Sequence, residues 1–258
     1  AGGSRASFRS DAELRAFLDK RRSADRRLRQ MESPMAPPPP AAAAESANIT
    51  VTGSQKSADA ITNTQEAGVD EGGIVKKRGD LLVVLRRGRL FTISTAGGKL
   101  RPIDWIDAMP PGVSGGGDWY DEMLLHGDRV VVVGYSYARG GTEINRFRLS
   151  ADGRLQFEDA YHLKSNDYYS SRNYASRLIG NRLVYYTPLF LRWDDDPFES
   201  FPAMRRWTDQ GVKLDFRRVV RARDVYVVPE MRDNPEAPVD TMHTVFNCDL
   251  TAPVLDCD

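Results

Sequence analysis

Cysteine is nearly missing from this chain of 258 residues: there are two, Cys248 and Cys257, close together near the C-terminus. Two cysteines cannot build a disulfide framework, so a small stapled fold is excluded. A close pair in an otherwise cysteine-free chain is still compatible with an oxidising compartment. Long apolar runs are missing too. No stretch approaches the roughly 18 apolar residues of a membrane helix, so no transmembrane segment is expected. Net charge is zero, with 36 Lys plus Arg against 36 Asp plus Glu, which removes the global case for a nucleic-acid partner. Histidine is scarce: His126, His162 and His243 stand at no zinc spacing with one another or with a cysteine. No Gly-x-Ser-x-Gly elbow is found, so no α/β-hydrolase nucleophile is indicated. Gly115-Gly116-Gly117 has no helix after it and does not read as a phosphate loop. Ala1 is followed by no apolar h-region, as expected of a chain already processed or trimmed.

What is present changes character along the chain. Residues 1–33 read as a basic N-terminal helix. Ser10 is its candidate N-cap, Glu13 completes a capping-box spacing, and Leu14, Phe17 and Leu18 form a short apolar stripe. Beyond Leu18 the helix is mostly Arg and Lys. It reads either as a peripheral helix docked by its first two turns or as a basic arm for an acidic partner or membrane surface. Residues 34–60 are a low-complexity tether, with Pro37 to Pro40 and Ala41 to Ala44 at its start.

From about residue 61 the pattern is β. Gly79-Asp80, Gly127-Asp128 and Gly180-Asn181 each precede one further residue and then four apolar or aromatic ones. Gly-Asp and Gly-Asn suit a tight turn that launches a strand, and the apolar run reads as a strand buried on both faces. The turns recur at about 50-residue spacing, the self-similarity of a propeller blade. Ala151-Asp152-Gly153 between two alternating runs is a hairpin signal. The predicted fold class is therefore all-β: a β-propeller with about three blades over residues 61–258 and an incomplete ring, carrying the N-terminal helix and the Pro/Ala-rich tether. Regular patterning lapses over 192–218, which reads as a long insertion loop.

Before the first repeat stands Thr62-Asn63-Thr64-Gln65-Glu66-Ala67-Gly68-Val69-Asp70-Glu71-Gly72-Gly73-Ile74-Val75-Lys76. This segment resembles the lead-in of a family of secreted bacterial β-propeller proteins, distantly related to WD-repeat propellers, in which Asp usually occupies the position of Gly73. The resemblance implies a secreted, periplasmic or cell-surface location, no settled activity, and members longer than this chain. Three blades leave open edges that template association. The expected partners are thus the remainder of the propeller or a complementary chain, with an envelope protein or glycan as further possibilities.

The candidate site residues each have a functional and a structural reading. Asp70 and Glu71, in a Gly-rich turn, could ligate Ca²⁺; the alternative is a turn that clasps the lead-in to the first blade and pairs with Lys76. Trp193, Asp194, Asp195, Asp196 and Trp207 fall in the insertion and read as a partner-binding loop or as a loop packed on the propeller's own face. Tyr168 and Tyr169 lie in a polar, aromatic inter-blade connection suited to recognition. Cys248 and Cys257 flank Pro253 and Asp256, which suggest a turn that would bring them into disulfide range; two independent buried thiols are the other reading. The function expected is a non-enzymatic binding or scaffolding propeller of the cell envelope or extracellular space. The alternative is a hydrolase or lyase with its site in the central channel, since the fold hosts both.

Overall fold

The computed structural model describes residues 6–31, 69–113, 117–137, 141–166, 176–192, 196–208, 214–234, 236–237, 239 and 241–257. In chain order, β1 (Ala6–Ser7) and α1 (Asp11–Met31) come first, then β2 (Val69–Glu71). Next come β3 (Val75–Arg78), β4 (Leu81–Arg86), β5 (Arg89–Ser94) and β6 (Arg101–Asp107), followed by β7 (Asp118–His126), β8 (Arg129–Ser136), β9 (Gly141–Leu149) and β10 (Leu155–Leu163). β11 (Ser176–Ile179), β12 (Arg182–Phe190), β13 (Ala203–Thr208), β14 (Arg217–Arg218), β15 (Tyr226–Val227), α2 (Pro229–Asp233), β16 (Thr241–Asp249) and β17 (Asp256–Cys257) complete the set.

The strands pair into three antiparallel blades. The first is the meander β3-β4-β5-β6; the second is β7-β8-β9-β10, extended at its outer edge by β13 and β14; the third runs β2-β11-β12-β16-β17. The three repeat glycines do one job. Gly79, Gly127 and Gly180 adopt φ of 55°, 59° and 60° at the first central position of the two-residue hairpins β3–β4, β7–β8 and β11–β12. Only glycine takes that conformation without a Cβ penalty. The apolar run after each turn is thus the second strand of its blade, not the first. The first strands escaped the sequence pattern because they are charged, as in Val75-Lys76-Lys77-Arg78.

Side chains alternate across each run, so the fourth residue after the repeat glycine (Val83, Val131, Val184) points one way and its neighbours the other. In the middle blade both faces are covered, and Val130, Val131, Val132 and Val133 are all fully buried. Val130, Val132, Phe147 and Leu149 pack with Val83, Leu85 and Leu90 of the first blade. Leu124, Val131, Val133 and Ile144 pack with Leu183, Tyr185 and Phe246 of the third. The first and third runs are buried on one face only, so the expectation of two-sided burial holds for the middle blade alone.

Two other expectations need correcting. The insertion over 192–218 is not one loop: β13 pairs with β10 and β14 with β13. Met204-Arg205-Arg206-Trp207 lacks an apolar alternation, because its arginines bond to His162 and Asp159 of the neighbouring strand. The lead-in, read as a turn clasped to the first blade, is instead strand β2 on the third, with Val69, Asp70 and Glu71 opposite Ile179, Leu178 and Arg177. Backbone pairing along a bare inner edge satisfies groups that a turn would leave open.

Described residues 6–31, 196–199 and 221–239 belong to a second compact unit. Ser10 Oγ accepts from the Glu13 N–H at 3.2 Å and starts α1. Phe8, Leu14, Phe17 and Leu18 are buried. Arg21 also packs: it is buried, lies 3.5 Å over the Phe17 ring and donates to the carbonyls of Met231 in α2 and Asn234 just after it, while Arg26 and Arg27 are exposed. That contact fits the docked-helix reading and carries it one turn beyond the apolar stripe.

Gly134, inside β8, is demanded by space. A Cβ there would lie 2.2 Å from the Trp119 carbonyl oxygen and 2.4 Å from the Tyr120 ring. Gly134→Ala is expected to destabilise the chain by about 1–3 kcal/mol in urea unfolding, the cost of overpacking against backbone.

Candidate functional site

The surfaces best suited to a partner are the outward faces of the two end blades. On the first, Leu82, Val84, Phe91 and Ile93 are half-buried and Trp105 is 57% exposed. Arg89 lies 5.0 Å over the Trp105 ring and 3.1 Å from the Asp107 carboxylate. On the third, Val184 and Tyr186 are half-buried, while Phe190 and Val245 are 62% and 61% exposed. The Tyr186 hydroxyl lies 2.7 Å from His243 Nδ1 with the two rings stacked. These faces carry the same residue types as the filled seams between blades.

The inner edge is crossed by the lead-in. After β2, the Gly73 N–H and C=O exchange bonds with Met123 of β7 at 3.2 and 3.0 Å, and the chain then enters β3. A Cβ at Gly72 would stand 3.0 Å from the Glu122 carboxyl group, so glycine allows this close crossing. Ser176, which opens β11, donates to Glu122 Oε2. Asp70 and Glu71 therefore sit at the innermost edge of the third blade, but their side chains lie outside the described residues.

Two polar sets are buried in the middle blade. In the first, Arg146 and Asp159, each 1% exposed, are joined by two parallel bonds of 2.6 and 2.8 Å. Asp159 also accepts from Arg206 at 3.1 Å and from the Tyr161 hydroxyl at 2.8 Å. Burial disfavours the charge on Arg146, yet Asp159 more than offsets it and the guanidinium pKa is raised. Burial, reinforced by the Asp159 charge, pushes Tyr161 up to about 12. In the second set, Tyr120 donates to Glu143 at 2.7 Å, and His162 Nε2 stands 3.5 Å from the other Glu143 oxygen. Arg205 donates to His162 Nδ1 at 3.2–3.3 Å, and Trp207 stacks on the imidazole at 5.9 Å. The sequence marked Trp207 but not the buried charges it packs beside: in Arg146-Phe147-Arg148 nothing distinguishes the buried arginine from the exposed one.

Of the predicted partner-binding residues, the structure describes Trp207 and Asp196. Trp207 is half-buried on β13 against His162, whereas Asp196 pairs with Arg15 at 3.0 Å in the other compact unit. Trp193, Asp194, Asp195, Tyr168 and Tyr169 lie outside the described residues. Cys248 and Cys257 are joined by a disulfide across β16 and β17. Among the described residues, no three His, Cys, Asp or Glu are grouped to hold a metal ion. A cleft of about 640 Å³ opens between the first two blades, lined by Arg78, Asp80, Asp128, Arg148 and Asp152. Its arginines are already engaged: Arg78 donates to the Gly127 and Leu149 carbonyls, and Arg148 pairs with Asp128 and Glu158.

Residues 60–181 match the Beta propeller domain family. The match spans the first two blades and ends at the Gly180–Asn181 turn of the third. No curated protein and no solved structure matches the chain. Topology and family match together make the fold a β-propeller with a helix near its N-terminus, and among the described residues the sheets do not close into a ring.

Two outcomes are expected. Asp159→Asn leaves the buried Arg146 guanidinium without its countercharge and is predicted to cost about 3–5 kcal/mol in denaturant unfolding. Tyr161 holds its proton more tightly folded than unfolded, so its contribution is complete below pH 10 and is lost as the pH rises towards about 12. Urea unfolding at stepped pH should therefore show a steeper alkaline loss for the wild type than for Tyr161→Phe.

Proposed function

We propose that this chain is a non-enzymatic binding or scaffolding module of a secreted or envelope-associated bacterial propeller, and that its outward blade faces dock further blades. The observation that carries this reading is the contrast between repeats. Val83 and Val131 are sealed in seams, while Val184, in the same frame position, lies half-buried on an outer face. Covering one large apolar side chain is worth about 1.5–3 kcal/mol, so faces bearing Trp105, Phe190 and Val245 are strongly favoured to be covered. The covering partner is the remainder of a propeller or a complementary chain that presents an apolar sheet face of the same kind. The Cys248–Cys257 disulfide supports an oxidising location.

The test uses this polypeptide by itself. The wild type is expected to bind a hydrophobic dye and to self-associate in sedimentation velocity. Trp105→Asp and Phe190→Asp/Val245→Asp should reduce both without lowering the melting temperature. A strictly monomeric, dye-silent wild type that these changes leave unaltered would sink the proposal.

A further inference from the structure

The segment from Leu250 to Leu255 bridges the second and third blades. Its carbonyls at Leu250, Ala252 and Pro253 accept from Arg129 and Arg146, at 2.9 Å for Ala252 and 2.8 Å for Pro253. The Leu255 N–H donates to the buried Tyr161 hydroxyl at 2.8 Å, and the Leu250 N–H donates to the Asn181 carbonyl at 3.0 Å. Leu250 and Leu255 are 1% and 2% exposed and belong to the core between the second and third blades. The segment therefore closes the outer end of that seam and supplies two of the acceptors that make a buried guanidinium tolerable.

What keeps the segment in place is short. β17 is two residues long, pairing Cys248 with Cys257 and Asp249 with Asp256, and the disulfide joins the first of these pairs. We propose that the Cys248–Cys257 disulfide is an oxidation-dependent clamp that seats the 250–255 segment over the buried Arg146–Asp159–Tyr161 set and so seals the seam between the second and third blades. The exchange partner is a dithiol or disulfide of the ordinary thiol-exchange class. On opening, a dithiol thiolate attacks Cys257 Sγ, the more accessible sulfur, because Cys248 is fully buried. Cys248 leaves as a thiolate, and the second thiol of the reagent resolves the mixed disulfide. Two electrons and two protons pass to the cysteine pair, and the reagent departs as its disulfide. Closing reverses these steps with an oxidised partner.

The Leu250 and Leu255 amides report the clamp directly. In hydrogen exchange followed by NMR, dithiothreitol should speed exchange at both by about 10- to 100-fold, the entropy of a closed loop of this size being released. Oxidised glutathione should restore protection, and β8 amides should change little in either direction. Tyr161→Phe removes the Leu255 acceptor together with the bond Tyr161 donates to Asp159, and leaves the segment's contacts with Arg146 and Asn181 in place. In its oxidised form Leu255 should exchange faster while Leu250 stays protected. Equal protection of both amides in the reduced and oxidised wild type would overturn the proposal. So would unchanged Leu255 protection in Tyr161→Phe, because the segment would then be held by something other than the buried set.

Discussion

The structure depends on two-sided burial of the second blade. Along β8, Val130 and Val132 enter the seam with the first blade and Val131 and Val133 the seam with the third, all fully buried. Strand geometry sends alternate side chains to opposite faces, so one run of four valines contributes to both seams. The two end blades each have one covered face. Their outer faces follow from the same alternation, since the residues between those facing the seam must point away from it.

Apolar packing alone leaves the rotation of one blade on another loosely specified. Directional bonds supply the rest. Arg78 donates to the Gly127 and Leu149 carbonyls of the second blade, the Thr92 hydroxyl to the Gly153 carbonyl at 2.6 Å, and Asn145 back to the Ala108 carbonyl at 2.8 Å. On the other side, Thr142 bonds the Tyr185 hydroxyl at 3.0 Å, and Arg146 reaches the segment that closes the seam. Buried charge of this kind adds little net stability against an apolar replacement, but it penalises every orientation that leaves a partner unmet. The lead-in strand adds a third restraint, joining the inner edges of all three blades through β2, Gly73 and β3.

Much of this was legible in the sequence, and the limits have physical causes. The repeat glycines marked the hairpins because glycine takes the left-handed turn conformation with no Cβ penalty. Leu155 to Leu163 and Glu143 to Leu149 read as strands from the Asp-Gly between them. The first strand of the first blade was invisible because three of the four residues in Val75-Lys76-Lys77-Arg78 are charged, although Lys76 is buried. β13 was hidden because Arg205 and Arg206 satisfy polar groups inside the sheet. Of the proposed binding loop, Trp207 proved to be a sheet residue, and Asp196 belongs with α1. Burial of Arg146 beside Asp159 depends on cross-strand register after a bulge between Phe157 and Asp159, which no spacing along the chain reveals.

Val83, Val131 and Val184 stand at the same place in the three repeats and differ in what lies opposite them. Unfolding of the three Val→Ala variants measures that difference with the chemistry held constant. Two-sided burial of the middle blade and an open face on the third predict losses of about 2 kcal/mol for Val83→Ala and Val131→Ala, and less than about 1 kcal/mol for Val184→Ala. Equal losses at all three positions would contradict the account.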